Sequence, residues 1–168
     1  GLRDRTIFLH GFSKAYAMTG FRIGYACGPA ELVGAMTRIH QYSMLCASLP
    51  SQEAALEALR NGDAPMAEMR EAYRQRRNVM VNALNAMGLD CHLPRGSFYA
   101  FPSVQPTGLD SKTFAAKLLE AENVAAVPGN AFGKSGEGFL RCCFAAGLDR
   151  IETAMERMAR FVANTKKG

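Results

Sequence analysis

Across residues 63–88, apolar side chains recur at helical spacing: Met66, Met69, Tyr73, Met80, Leu84 and Met87. Asp63 is a plausible N-cap, Pro65 fits a first turn, and Gly88 suits the left-handed residue that ends a helix. Arg70, Arg74, Arg76 and Arg77 fall mainly off this stripe and read as a solvated face. A long helix with one apolar stripe must lay it against a second layer, so its flanks decide the fold. Upstream, strand-like runs at residues 7–9 and 21–27 enclose a Gly-, Ser- and Thr-rich stretch, residues 10–20, that reads as loop. The apolar run at 7–9 is expected to be buried. A helix from Ala30 carries Leu32, Ala35, Met36 and Ile39. A shorter helix starts at Ser51 and ends at Asn61-Gly62. Downstream, strands are expected at 89–93, 98–101, 123–127 and 139–144. A helix capped by Asp110 or Ser111 carries Phe114, Leu118 and Leu119. A last helix, opened by Asp149 and Glu152, carries Ile151, Met155, Met158 and Val162. The alternation predicts an α/β or α+β chain that divides near Gly62-Asp63.

Composition narrows the function classes. A net charge of +5 over 168 residues, with no basic cluster inside a recognisable binding motif, argues against nucleic acid as a partner. Five cysteines (Cys27, Cys46, Cys91, Cys142 and Cys143) form no CxxC pair and read as reduced core thiols of a cytosolic protein. His10, His40 and His92 make no metal constellation. Neither a signal peptide nor an apolar run of membrane-spanning length is present. The chain opens almost directly on a strand-like run, so it is expected to be part of something larger.

The chemistry concentrates in Gly11-Phe12-Ser13-Lys14 and Gly20-Phe21-Arg22-Ile23-Gly24. A lysine on a loop after a strand, with small and apolar neighbours, is unlike the usual lysine of an exposed helix face. Drying disfavours an ammonium, and a neutral amine condenses with an aldehyde. The arginine eight residues on can hold a phosphate through two parallel hydrogen bonds, with loop N–H groups turned toward the same anion. The competing reading of the same residues is a surface loop with an ordinary lysine and a salt-bridged arginine.

The run GFSKAYAMTGFRIG, residues 11–24, resembles throughout its length the pyridoxal-phosphate attachment signature of the class I/II aminotransferases. The resemblance continues downstream. Residues 94–102, PRGSFYAFP, are similar to the family's PxGxFYxFP stretch. Residues 127–133, VPGNAFG, are similar to its VPGxAFG loop, and residues 138–141, GFLR, to its GxxR strand. It implies an α/β fold: the C-terminal portion of a fold type I transferase of the aspartate/aromatic aminotransferase kind. Residues 1–62 would be the end of the large cofactor-binding domain, and residues 63–168 the small α+β domain.

The same resemblance implies the site. Lys14 would carry pyridoxal 5′-phosphate and act as the catalytic base and acid. Arg22 would bind the cofactor phosphate, with Ser13 as a further contact. Arg141 would grip the substrate α-carboxylate, a role that suits a guanidinium fork; its alternative is a strand arginine paired with a structural acid. Some relatives bind the phosphate with a serine at the Gly11 position, and glycine removes that contact here. The implied reaction moves an amino group between an L-amino acid and a 2-oxo acid in a cytoplasmic homodimer. The acid, aromatic, asparagine and tyrosine that hold the ring in the family have no candidate before Lys14, so this chain alone is expected to bind cofactor weakly and not to transaminate. Some aspartate-specific relatives place an arginine in the region of residues 42–46. The run Tyr42-Ser43-Met44-Leu45-Cys46 has no cation, which leans toward uncharged substrate side chains. A carbon–sulfur lyase would share Lys14, Arg22 and Arg141, and a ligand-sensing domain of a transcription regulator would share the fold.

Overall fold

The computed structural model describes residues 1–165 and divides the chain into two compact units, residues 1–69 and 70–168. No helix among the described residues is long and apolar enough to cross a membrane.

The first unit opens on two antiparallel strands, β1 (Phe8–Gly11) and β2 (Gly24–Cys27), in the register Phe8↔Cys27 to Gly11↔Gly24. A four-residue helix, α1 (Phe12–Ala15), interrupts the connection expected to be loop. It forms because Phe12 is buried against Met18 and Ala55, so the backbone must turn to bring that ring inward. Helices α2 (Ala30–Ser43) and α3 (Leu49–Asn61) follow. Helix α3 starts two residues before Ser51. Ser48 is its N-cap, accepting the Ser51 N–H at 3.4 Å, and Pro50 sits in the first turn, where a missing N–H costs nothing. The expectation that residues 7–9 are buried does not hold: all four β1 residues are exposed. Along the two-stranded ribbon Phe8, His10 and Tyr25 pack on one another, and Tyr25 also meets Phe12 at 5.7 Å.

Helix α4 (Asp63–Ala86) begins in the first unit and carries the chain into the second. Asp63 is its first helical residue rather than its N-cap, because α3 ends two residues earlier at Asn61 and only Gly62 separates the two helices. Beyond α4, Gly88 adopts φ 77°, the left-handed conformation that stops a helix at least cost in glycine.

The second unit is a three-stranded antiparallel sheet, order β3-β5-β4, built from β3 (Tyr99–Ala100), β4 (Val127–Pro128) and β5 (Leu140–Cys143). Helices α5 (Ser111–Glu122) and α6 (Leu148–Thr165) join α4 around its core. The stripes read from sequence form that core: Met80 and Leu84, Phe114 and Leu118, Ile151, Met155, Met158 and Val162 are all buried. Phe114 and Phe161 meet edge to face at 5.1 Å. Removing a ring so buried costs about 3–5 kcal/mol.

The strand expected at 89–93 is absent, those at 21–27, 98–101 and 139–144 are shortened, and that at 123–127 begins only at Val127. Residues 89–93 do not pair with a neighbouring strand, because the Asn85 amide takes over the ladder's role. It accepts from the Cys91 N–H at 2.9 Å and donates to the Cys91 carbonyl at 3.2 Å. Asn123 sits at φ 54° and ends α5, so pairing begins only at Val127. The cysteine expectation also needs correction. Cys91 and Cys142 are buried, but Cys27, Cys46 and Cys143 are exposed, and all five are free thiols. Burial pushes the Cys142 thiol up to about 12, which leaves it inert.

Candidate active site

Lys14, Ser13 and Arg22 all lie on the connection between β1 and β2, in the first unit. That connection is tied at its ends by the Gly11↔Gly24 pair and by the Phe12 N–H, which donates to the Ile23 carbonyl at 3.3 Å. A side chain at Gly24 would press its Cβ to 2.7 Å from the His10 carbonyl oxygen, so the tie requires glycine. Phe12 and Met18 pin the loop from beneath, and the N–H groups of Tyr16 and Met18 both donate to the Phe12 carbonyl. Ser51, buried at the start of α3, donates its hydroxyl to the Phe21 carbonyl at 2.7 Å and so fixes the residue before Arg22. This contact spans thirty residues of sequence. Only the Ser48/Ser51 pair in the first turn of α3 hints at it, and that pair reads from sequence as a helix start.

Two residues of this loop, Ala17 at φ 54° and Arg22 at φ 51°, hold left-handed conformations that L side chains adopt only at a cost of order 1–2 kcal/mol. Such strain persists where the surroundings over-determine it, commonly at functional sites. Arg22 also donates from its Nη1 to the Thr19 carbonyl at 3.0 Å, and its side chain is exposed. Lys14 is exposed and Ser13 half-buried, so the dry surroundings expected around the amine are not supplied by these residues. A cavity of about 480 Å³ in the same unit is lined by Phe12, Ile23, His40 and Cys46 among others, and neither Lys14 nor Arg22 forms part of its wall.

Arg141 belongs to the second unit, on the central strand β5. Alternation along that strand turns Leu140 and Cys142 into the core and leaves Arg141 half-buried on the other face. Among the described residues the Arg141 guanidinium has no hydrogen bond and no ion pair, so no structural acid claims it. Its guanidinium lies instead over two rings, 4.3 Å from the centroid of Tyr99 and 4.2 Å from that of Phe132.

The loop that carries Phe132 is held by a hydrogen-bond network around the buried Ser111. Ser111 is fully buried; its Oγ accepts from the Gly138 N–H at 2.8 Å and the Phe139 N–H at 3.2 Å. Glu137 accepts from the backbone N–H of Ser111 at 2.8 Å and of Gly138 at 3.0 Å, and from the Asn130 amide at 2.6 Å. Gly129 and Gly136 approach so closely that a Cβ on either would collide with the other's carbonyl oxygen. Ser111→Ala is expected to destabilise this unit by about 1–3 kcal/mol in urea denaturation, since buried N–H donors lose an acceptor.

The N–H groups of Ser111 and Gly138 hold the Glu137 carboxyl below the usual carboxylate range. The hydroxyl and N–H of Thr113 do the same for Asp110, the N-cap of α5. A depressed folded-state value means that the unfolded chain binds more protons in mildly acid solution. The stability these groups contribute is therefore complete above their ordinary values, 4.5 and 3.8. It is lost as pH falls through the depressed ones. Thermal denaturation followed below pH 4.5 should show this loss, and Glu137→Gln should reduce its slope.

The donor set suits pyridoxal phosphate. A primary amine for an aldehyde and a guanidinium for a phosphate ester stand on one tied loop. Lys14 would carry the cofactor, and Arg22, with Ser13, would hold the phosphate.

Residues 2–158 match the family model described as aminotransferase class I and II. A putative aminotransferase of Bacillus subtilis, YugH, is 50% identical over 165 residues, covering 98% of this chain and 43% of that protein. The crystal structure of an aromatic aminotransferase from Pyrococcus horikoshii OT3 superposes with a TM-score of 0.93 at 41% identity, over 99% of this chain and 45% of that one. An aspartate aminotransferase from Thermus thermophilus, solved with maleate, gives 0.87 at 40% identity, over 94% of this chain and 41% of that one. The architecture is thus that of the C-terminal portion of a fold type I transferase. The chain spans about two-fifths of the length of the curated relatives it matches. On the family match across nearly its whole length, the chain belongs to the class I and II aminotransferases, a pyridoxal-phosphate-dependent family.

Proposed function

We propose that the protein to which this chain belongs transfers an amino group between an L-amino acid and a 2-oxo acid, with Lys14 as the cofactor lysine. The observation that supports the reading is the tied, strained loop between β1 and β2, along which both Lys14 and Arg22 lie. Pyridoxal phosphate, when bound, supplies an aldehyde that condenses with amines and a ring that draws electrons from the substrate α-carbon. Arg22 and Ser13 bind the phosphate, and the ends tied by Gly11 and Gly24 keep the loop from drifting. Arg141 binds the substrate carboxylate and so orients the α-carbon. Lys14 takes the proton from that carbon at its Nζ and returns it on the way to product, as general base and then general acid. Residues 1–62 are the end of the cofactor-binding domain and residues 63–168 the small domain. The working protein is a cytoplasmic homodimer of amino-acid biosynthesis. Its substrates lean toward uncharged side chains, since residues 42–46 offer no cation.

The test is isotope transfer in the complete protein that carries this sequence. Nitrogen-15 from a labelled L-amino acid should appear in the amino acid formed from an added 2-oxo acid. Release of ammonia and a thiol from cystathionine, with no transfer to the 2-oxo acid, would instead identify a carbon–sulfur lyase.

A further inference from the structure

We propose that Tyr99 and Phe132 are positioning residues for Arg141, clamping its guanidinium between two ring faces so that its N–H edge meets a substrate carboxylate in plane. The inference rests on the reading of Arg141 as the carboxylate anchor and adds what holds that anchor in place.

The sheet register builds one side of the clamp. Tyr99 pairs with Cys143, and Arg141 lies two residues from Cys143 on the same face, the diagonal position within reach of an aromatic side chain. Ala100 and Cys142, the alternate pair, face the core. The other side comes from the turn after β4, where Gly129–Phe132 forms one turn of 3-10 helix and delivers Phe132. The buried Ser111, Glu137 and the Gly129/Gly136 contact fix that turn. Each clamping ring is itself supported. Tyr99 packs on Phe98 at 4.6 Å, and Phe132 meets Phe101 at 6.4 Å, which stacks on Phe139 at 5.5 Å.

The chemistry explains why rings serve where an acid would not. A guanidinium binds water weakly above and below its plane and strongly at its edge. Aromatic faces therefore attract it without competing for the five N–H donors. A carboxylate side chain would also pin the arginine, but it would consume the fork that must bind substrate. Among the described residues the fork has no hydrogen-bond partner, and the guanidinium carbon lies over both rings. The result is an arginine oriented in advance for a planar oxyanion, which lowers the ordering cost of binding it.

The experiment uses the complete, cofactor-loaded protein labelled with nitrogen-15 arginine. It follows the Arg141 Nε–H resonance during titration with propanoate, and with propanamide as the uncharged control. Propanoate should shift the resonance saturably and propanamide should not. Tyr99→Leu and Phe132→Leu should each raise the propanoate dissociation constant ~3- to 30-fold. Tyr99→Phe, which keeps the ring face, should stay within about twofold of wild type on the same grounds. The same leucine variants should raise KM for the amino acid substrate more than they lower kcat. If Arg141→Lys, with propanoate affinity measured by titration calorimetry alongside wild type, leaves propanoate binding unchanged, the carboxylate reading of Arg141 itself fails. If Arg141→Lys abolishes binding while both leucine variants bind like wild type, the carboxylate reading stands and the clamp is overturned. Phe132 is 50% exposed, so its substitution tests the clamp even if Tyr99→Leu fails to fold. A wild-type Arg141 Nε–H as mobile as those of exposed arginines would overturn the clamp without any variant.

Discussion

Lys14→Arg is expected to abolish covalent attachment of pyridoxal phosphate and to lower turnover in the complete protein by about 10³-fold or more, the range lost when a positioned acid–base group is removed. The substitution preserves length and positive charge. What it removes is the ability to become a neutral amine, because a guanidinium is not deprotonated in proteins. Lys14 is exposed, so little buried surface is lost, and surface substitutions of this kind usually change stability by less than about 0.5 kcal/mol. Absorbance of the bound cofactor, residual turnover and thermal denaturation measured on one preparation separate the chemical effect from a folding defect. An ordinary surface lysine would predict near-normal turnover in the same variant.

Arg22→Gly separates function from structure through opposite signs. Losing a bidentate charge-assisted contact to a phosphate should weaken cofactor affinity by about 100-fold or more, since each such bond contributes about 1.5–3 kcal/mol. Stability without cofactor should hold or rise. Arg22 sits at φ 51°, where glycine relieves a strain of order 1 kcal/mol, and the contact given up is a single exposed hydrogen bond to the Thr19 carbonyl. A structural arginine would give the reverse: lower melting temperature and unchanged affinity. Titration with pyridoxal phosphate alongside melting of the cofactor-free protein reads both signs.

Much of this was legible in the sequence because helices announce themselves locally. The stripe of α4 and its glycine stop at Gly88, the Asp110 cap of α5 and the stripe of α6 each require residues within a turn or two of one another. Strands were less legible. Whether residues 89–93 pair depends on a side-chain amide, Asn85, that competes for the backbone of Cys91. Residues 7–9 are apolar enough for a core, but their burial depends on a layer that the first unit does not provide.

The candidate site divides the same way. Lys14, Ser13 and Arg22 lie in one contiguous run, so its resemblance to the family's attachment signature, rather than the spacing alone, points to the proposed chemistry. The clamp around Arg141 needs the β3–β5 register and the folded turn at residues 129–132, and neither can be read from residue types. The tie from Ser51 to the Phe21 carbonyl is hidden for the same reason: it joins a helix start to a loop far away in sequence.

Borohydride reduction of the protein with added pyridoxal phosphate, followed by peptide mapping, tests the central claim most directly. The account predicts that the reduced cofactor is recovered on the peptide containing Lys14, in large excess over every other lysine. Label spread evenly over Lys14 and the exposed Lys112, Lys117 and Lys134 would contradict it.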